Sequence, residues 1–191
     1  MELSHRAAHT GWPGLKKEPT SLVGDVMNTV VTASEYLFNC HGFDLRFRTS
    51  VSAFVEPALA FLHHFQTDVA QGGPVLTIQF EEAASRAEVP VTRSAGSKVL
   101  FAGERPSLGD TMRPLWQCEI AQDGDRLIAD FHEQGVLVID GARNLVEGYF
   151  IRPDAMHPDV RTSFLHFALA ELLKRNGLFT VHATALEYEG Q

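Results

Sequence analysis

The sequence has few cysteines, few basic residues and no long apolar run, and each shortage excludes a class of protein. Cys40 and Cys118 stand far apart, with no CxxC pair and no histidine at metal-ligand spacing, so neither a disulfide framework nor a zinc site is expected. Sixteen Lys and Arg against 24 Asp and Glu leave a formal charge of −8, which excludes the basic surface of a general nucleic-acid binder. Residues 1–20 lack the apolar core of a secretion signal, and no later stretch approaches about 18 apolar residues. We therefore expect a cytoplasmic protein that contacts neither nucleic acid nor membrane.

The apolar residues that are present suffice for one core of ordinary size, since 45% of the 191 residues are hydrophobic. The first 20 residues have no periodic apolar pattern and are predicted to form a flexible arm. After this arm, the pattern indicates a β-rich α+β domain over residues 21–155. A further helix and strand follow over residues 156–191.

The first half of the β-rich domain is predicted to mix helices and strands. Apolar residues recur at helical spacing over residues 21–37, which predicts a helix there. Alternating apolar and polar residues predict a strand over residues 45–51. A short helix is expected over residues 57–65, opened by proline and ended by a Gly-Gly-Pro turn. Further strands are expected over residues 76–80 and 99–102.

Residues 115–151 are predicted to form a four-strand antiparallel meander. Apolar and polar residues alternate from Trp116 to Ile120 and again from Leu127 to Phe131. Asp123-Gly124 between these strands and Asp140-Gly141 between the next two are typical of tight hairpin turns.

A helix is predicted to begin at Pro158 or Asp159, with Phe164, Leu165, Ala168, Leu169, Leu172 and Leu173 on one face. Lys174 and Arg175 in its last turn and Gly177 just after it are stop signals. Residues 178–188 then predict a strand that has no later partner in the sequence. The chain is therefore expected to end in the middle of a domain.

The histidines, cysteines and acids form no recognised catalytic or metal-binding set. His63 and His64 are neighbours on a predicted helix and are expected to point apart, and His166 has no acid within one helical turn and is expected at the surface. The chain has no G-x-S-x-G motif, and the sequence proximity of Cys40 and His41 does not establish a nucleophile. Acids of the strands and turns are expected on solvated faces: Glu81, Glu82, Asp123, Asp125 and Asp130.

The chain contains no phosphate-binding loop. Such a loop needs G-x-x-x-x-G-K-[ST], because its backbone amides and lysine surround the phosphates while the hydroxyl holds magnesium. Gly96-Ser97-Lys98 lacks both the earlier glycine and the following hydroxyl residue, and it is predicted to be a loop that leads into a strand. No cofactor and no metal are therefore expected to bind to this chain.

The stretch from Phe164 to Gly190 nevertheless resembles the segment before the nucleotide site of the HPr kinase-like proteins. These are relatives of HPr serine kinase and are similar in their ATPase core to phosphoenolpyruvate carboxykinase. In that family a helix ending in Arg-x-Gly leads into a strand with a His-Ala-x-Ala core, a turn, a second strand and the phosphate-binding loop. The matching positions are Arg175, Gly177, Leu178, Phe179, His182, Ala183, Ala185, Leu186 and Gly190.

The resemblance implies that residues 156–191 begin an α/β nucleotide-binding core whose phosphate-binding loop would follow Gln191. This chain would then be the N-terminal portion of an ATP-dependent serine kinase-like phosphotransferase or ATPase. ATP and Mg²⁺ would be cofactors of the full-length protein, and this chain alone would be inactive. His182 matches the family's strand histidine and is the candidate catalytic residue, with a structural role in the core as its alternative.

Two other functions stay open at this stage. A non-catalytic α+β protein-binding or assembly module would recruit a protein partner, or a second copy, through the edge of its C-terminal strand and without ATP. A small-molecule enzyme would instead use a site in the concavity of the curved sheet, and its pocket would hold titratable groups with shifted pKa values.

Overall fold

The computed structural model describes residues 33–105 and 116–179, which form an α+β fold. The strands are β1 (Ser34–Cys40), β2 (Phe43–Thr49), β3 (Val75–Ala83), β4 (Lys98–Arg105), β5 (Trp116–Asp123), β6 (Arg126–Asp130), β7 (Gly135–Asp140) and β8 (Leu145–Ile151). The α-helices of the described residues are α1 (Val55–Leu62) and α2 (Pro158–Arg175). Neither helix is long and apolar enough to span a membrane.

The eight strands form one sheet in the order β1-β2-β3-β8-β7-β6-β5-β4. Strands β5 to β8 are the predicted antiparallel meander, and the strands predicted over residues 45–51, 76–80 and 99–102 are confirmed as β2, β3 and β4. Strand β3 joins the meander to the β1–β2 hairpin, since it pairs in parallel with both β2 and β8. The β5–β6 turn falls at residues 124–125, one residue later than predicted, with Gly124 at φ +61°.

Both helices cover the same face of the sheet. The six residues predicted for the apolar face of α2 all contribute to the main core, and Leu173 is the one that is only partly buried. Phenylalanine rings fill the contact between helices and sheet. The Phe150 ring centroid lies 4.4 Å from that of Phe54 on the turn before α1, 4.9 Å from that of Phe80 on β3 and 5.3 Å from that of Phe164 on α2. The predicted helices over residues 57–65 and from Pro158 are thus confirmed, the first ending as α1 and a 3-10 turn, His63–Phe65.

The segment between β3 and β4 covers part of the opposite face. Val89 is buried there against Ile128, Val136 and Val138, which form a second, smaller apolar cluster on β6 and β7. Arg86 donates to Asp130 at 2.5 Å. Burial on both faces explains why β7 has four consecutive hydrophobic residues, Val136 to Ile139, rather than an alternating pattern.

The helix predicted over residues 21–37 is wrong where the structure describes it. Residues 34–37 belong to strand β1, and residues 21–32 lie outside the described part of the chain. Tyr36, Phe38 and Cys40 face the core at every second position and pair with β2 across the His41-Gly42 turn. Pairing with β2 therefore determines the conformation of residues 34–37. The helical spacing of a few apolar residues does not determine it.

Candidate functional site

Polar side chains gather on the sheet face opposite the helices, over β1, β2, β3 and β8. Strand register brings them together, because Glu35 is paired with Arg48, Arg48 with Gln79, and Gln79 with Glu147 across four strands. In the next row, Glu81 is paired with Tyr149. We call this set the polar face: Glu35, Arg48, Gln79, Glu81, Glu147 and Tyr149.

Hydrogen bonds connect most of these side chains. Arg48 Nε donates to Glu35 Oε2. Gln79 Nε2 donates to Glu81 Oε1 at 2.5 Å, and Tyr149 OH donates to Glu147 Oε1 at 3.5 Å. The Arg48 and Glu35 side chains keep 43% and 40% of their surface exposed, so this end of the polar face is open to water.

Tyr149 is the titratable group of the polar face whose pKa departs clearly from its ordinary value. Burial raises the pKa of Tyr149 to about 12, and the neighbouring Glu147 and Glu81 carboxylates act in the same direction. The phenol is therefore protonated at neutral pH and serves as a hydrogen-bond donor rather than as a base.

A cleft of about 530 Å³ opens on the polar face where the parallel strands β2 and β3 end. Polar residues make up most of its lining: Glu35, Arg48, Ser50, Gln79, Glu81 and Glu82. These groups can donate to and accept from a polar ligand. Within residues 33–105 and 116–179, no three His, Cys, Asp or Glu side chains are grouped to hold a metal ion.

A second cavity is apolar and lies beside the C-terminal end of α2. It measures about 560 Å³ and is lined by Cys40, His41, Phe61, Leu62, Phe65, Leu169, Leu173, Leu178 and Phe179. Phe61 is 46% exposed and Phe179 is 73% exposed. The last described residues of the chain therefore form one wall of this groove.

The end of α2 has the geometry of a Schellman motif. Leu178 N donates to Leu173 O at 3.0 Å, and Gly177 N donates to Lys174 O at 3.1 Å. Gly177 has φ +77°, a left-handed conformation that glycine adopts without the strain of a Cβ atom. The stop signals that the sequence offered, Lys174, Arg175 and Gly177, are confirmed.

The helix end is also fastened to the β7–β8 turn of the meander. The Arg175 side chain lies over Gly141, and Asn176 Nδ2 donates to Asn144 Oδ1 at 3.1 Å. The same Asn176 amide group donates to Leu172 O at 2.9 Å. The direction in which the chain leaves α2 is therefore fixed by contacts with the sheet.

Only part of the sequence-predicted site falls in the described residues. Arg175, Gly177, Leu178 and Phe179 of the family-like stretch lie at the end of α2, and no strand is formed at residues 178–179. His182, Ala183, Ala185, Leu186 and Gly190 lie outside the described residues, as does the rest of the predicted last strand.

The expectations for His63, His64 and His166 are wrong. The His63 and His64 rings lie 3.6 Å apart, because both residues belong to the 3-10 turn that follows α1 and not to a regular helix. His166 is half-buried, and its ring centroid lies 4.3 Å from that of Phe61. Packing of α1 against α2 produces this contact, which spacing along α2 alone does not reveal.

The thiols of Cys40 and Cys118 are both buried in the core. Cys40 and Cys118 are each 4% exposed and are not joined by a disulfide. Burial raises the pKa of Cys40, and burial with the Asp130 and Glu119 carboxylates raises that of Cys118 to about 12. A protonated, buried thiol is a poor nucleophile.

Asp123 contradicts the expectation of a solvated acid. It is 7% exposed, its carboxylate accepts hydrogen bonds from the Ser94 hydroxyl and backbone amide, and Arg126 Nη2 donates to it at 3.0 Å. These hydrogen bonds, the Ser94 hydroxyl first, hold the pKa of Asp123 below its usual range. Ser94 belongs to the segment between β3 and β4 that covers this face of the sheet. The Ser94–Asp123 contact therefore depends on where that segment lies, which cannot be predicted from the alternating pattern of β5.

Asp44 is a buried carboxylate that the sequence pattern did not single out. It is 2% exposed and accepts from the backbone amides of Gln71 at 3.0 Å and Gly72 at 2.9 Å, and from Asn39 Nδ2 at 3.2 Å. The pKa of Asp44 is lowered, chiefly by the Gln71 amide. Two features of the sequence could have indicated this contact: an aspartate just after a tight turn, and a Gly-Gly loop whose backbone amides need a hydrogen-bond acceptor.

Comparison with known proteins gives one partial match. No family model matches the chain, and no solved structure matches it. Over 74 residues, or 39% of this chain, it is 31% identical to the 2-succinylbenzoate-CoA ligase of Bacillus mycoides strain KBAB4. The chain spans about 15% of the length of that ligase. A match of this extent does not place the chain in the ligase family.

Proposed function

We propose that this chain is the N-terminal portion of an HPr kinase-like ATP-dependent kinase or ATPase of the cytoplasm. The observation that carries the proposal is the Arg175-x-Gly177 pair, which ends α2 in a Schellman motif just before the stretch that resembles the family. A helix end of this kind is what the family pattern requires before its His-Ala-x-Ala strand. The division of the chain near residue 155 and a role for His182 are part of the same proposal.

The proposal does not place ATP or Mg²⁺ on the described residues. Gly96-Ser97-Lys98 leads into β4 rather than into a helix, so it does not provide the strand-to-helix turn that surrounds phosphates. No metal-ligating cluster occurs within the part of the chain that the structure describes. No phosphotransfer step is therefore assigned to these residues, and ATP would be bound by the longer protein.

The β-rich unit would instead position the start of the nucleotide-binding core. Contacts of Arg175 with Gly141 and of Asn176 with Asn144 fix the end of α2 on the β7–β8 turn. The residues after α2 would then leave from a defined place on a rigid sheet. Such positioning is what a phosphate-binding loop farther along the chain would need.

Titration with a fluorescent ATP analogue and Mg²⁺ tests the proposal on two polypeptides, this chain and the product of the same reading frame extended past codon 191. We expect saturable binding by the longer product and none by this chain. Binding that is equal in the two, or absent from both, would contradict the proposal. The matched control is the longer product with the lysine of its phosphate-binding loop changed to alanine.

A non-catalytic assembly module is the second candidate function, and an edge strand favours it. β4 is the last strand in the sheet order, and Val99, Leu100 and Phe101 on it are about half exposed. An apolar edge strand can accept an added strand from another chain. This function would be seen as partner binding that does not depend on ATP.

A further inference from the structure

The cleft on the polar face lies where ligands bind in many sheets with parallel strands. Strands β2 and β8 both pair in parallel with β3, so the carboxyl ends of these three strands lie at the same edge of the sheet. In open α/β sheets, ligands bind outside the carboxyl ends of the strands. The cleft opens at the ends of β2 and β3, and its volume of about 530 Å³ is that of a small-molecule site.

One part of the cleft offers hydrogen-bond donors. Arg48 donates to Glu35 through Nε, and it has no other hydrogen-bond or ion-pair partner within residues 33–105 and 116–179. A guanidinium group carries five N–H donors, so Arg48 can bind a second acceptor. The Ser50 hydroxyl also lines the cleft. Because a guanidinium group matches the two oxygens of a carboxylate, this part of the cleft suits a carboxylate group.

The rest of the cleft carries an excess of negative charge. Three acids line the cleft, Glu35, Glu81 and Glu82, together with one arginine, Arg48. Since Arg48 is paired with Glu35, the carboxylates of Glu81 and Glu82 have no cationic partner among the residues that the structure describes. A ligand with an ammonium group would balance this charge.

Strand register sets the distance between the donor and acceptor parts of the cleft. Arg48 is paired with Gln79, and Glu81 lies two residues farther along β3 on the same face of the sheet. Neighbouring strands are about 4.8 Å apart and rise about 3.3 Å per residue, which places Arg48 and Glu81 roughly 8 Å apart. A carboxylate and an ammonium group joined through one carbon span this distance with a hydrogen bond of about 2.8 Å at each end. The spacing therefore fits an α-amino acid.

We propose that the cleft on the polar face binds a small α-amino acid, with its carboxylate on Arg48 and its ammonium group on Glu81. NMR chemical-shift titration of the isotope-labelled chain with L-alanine measures this binding directly. Saturable shifts are expected at the carboxyl ends of β2 and β3. Ethylamine, which lacks the carboxylate, and propionate, which lacks the ammonium group, should each bind about tenfold or more weakly than alanine.

Two substitutions in the cleft test the assigned contacts. Arg48→Gln removes the partner of the carboxylate and Glu81→Gln removes that of the ammonium group, so each should weaken alanine binding about tenfold or more. Glu133→Gln makes the same chemical change at an exposed residue of the 3-10 turn before β7 and should leave binding unchanged. The remaining resonances of each spectrum show whether the variant is folded.

Alanine binding that both cleft variants weaken and Glu133→Gln does not weaken supports the proposal. Absence of saturable shifts with alanine overturns it. Alanine binding that Arg48→Gln and Glu81→Gln leave intact also overturns it, as does ethylamine binding as tight as that of alanine. None of these failures bears on the kinase proposal, since that proposal is measured by nucleotide binding of the extended product.

Discussion

Asp44 and Asp123 are buried carboxylates that hold loops onto the sheet. Asp44 binds the backbone of residues 71–72, and Asp123 binds Ser94 of the segment that crosses the opposite face. In both cases the folded state lowers the pKa of the carboxyl by hydrogen bonding to its charged form. These acids therefore contribute to stability rather than to proton transfer.

Asp44→Asn should lower the free energy of unfolding at pH 7. It should also make the free energy of unfolding vary less with pH. The lowered folded pKa of Asp44 means that its stabilisation is complete above the unfolded value of about 3.9 and is lost as pH falls through the lower folded value. Urea unfolding at pH 7 and at pH 3 should show a smaller difference between the two midpoints in the variant than in the wild type. Asp125→Asn, in the exposed β5–β6 turn, is the control and should behave as the wild type does.

Cys40 and Cys118 should react slowly with Ellman's reagent in the folded protein. With a pKa of about 12, on the order of one Cys118 thiol in ten thousand is ionised at pH 8, and burial also blocks access of the reagent. Both thiols should react fully in 6 M guanidinium. Rapid stoichiometric reaction in native buffer would show that one thiol is accessible and would reopen the nucleophile hypothesis.

At the scale of elements, the end of α2 determines where the next segment of the chain begins. Gly177→Ala places a Cβ atom on a residue with φ +77°, and no atom lies close enough to clash with it. We therefore expect a loss of about 1 kcal/mol in the free energy of unfolding, from backbone strain alone. Gly96→Ala is the matched control, since Gly96 has neither a positive φ nor a crowded Cβ position. Equal effects of the two substitutions in urea titrations would contradict this explanation.

The packing of α2 on the sheet predicts a larger effect for one of its aromatic residues. Phe164 is completely buried, and its ring centroid lies 4.2 Å from that of Phe131 and 5.3 Å from that of Phe150. Phe164→Ala should cost about 3–5 kcal/mol of stability by urea unfolding, because it removes buried area and leaves a cavity. Phe179→Ala removes the same side chain from a residue that is 73% exposed and should cost little. A small loss for Phe164→Ala would mean that α2 does not dock on the sheet through this ring.

Local sequence patterns predicted most of the helices and strands. They did not predict which strands pair when those strands are far apart in the sequence. Alternation and turn residues located the meander, and an apolar face with stop signals located α2. The parallel pairing of β3 with β8 joins residues more than 60 positions apart and leaves no mark in either strand. β1 was predicted as part of a helix, because the alternation of its core-facing residues is recognisable only once its pairing with β2 is known.

The candidate site was predictable only in part for the same reason. The Arg175 and Gly177 signals lie within one turn of each other, and the structure confirms both. The polar face combines Glu35, Gln79 and Glu147 from strands that the sequence does not place side by side. The sequence analysis named Glu81 alone of its members, as a solvated acid, although polar residues at alternate positions of β3 and β8 were a usable signal for the others.

At the scale of the whole molecule, the described residues form a sheet with two different faces. The helices cover one face with phenylalanines, and the other is partly apolar under residues 86–91 and polar over β1, β2, β3 and β8. A hydrogen bond from Asn176 to Asn144 fastens the end of α2 to the β7–β8 turn of the meander. Under the proposed kinase function, this unit would position the nucleotide-binding core of the longer protein.

Sequencing the source reading frame beyond codon 191 would decide between the kinase proposal and the assembly module. If the kinase proposal is correct, a second strand and a loop of the form G-x-x-x-x-G-K-[ST] lie within about 20 codons, followed by a helix. Such a loop would identify the site for ATP and Mg²⁺ that the described residues do not provide. A stop codon directly after Gln191, or a continuation without this loop, would contradict the kinase proposal and favour the assembly module.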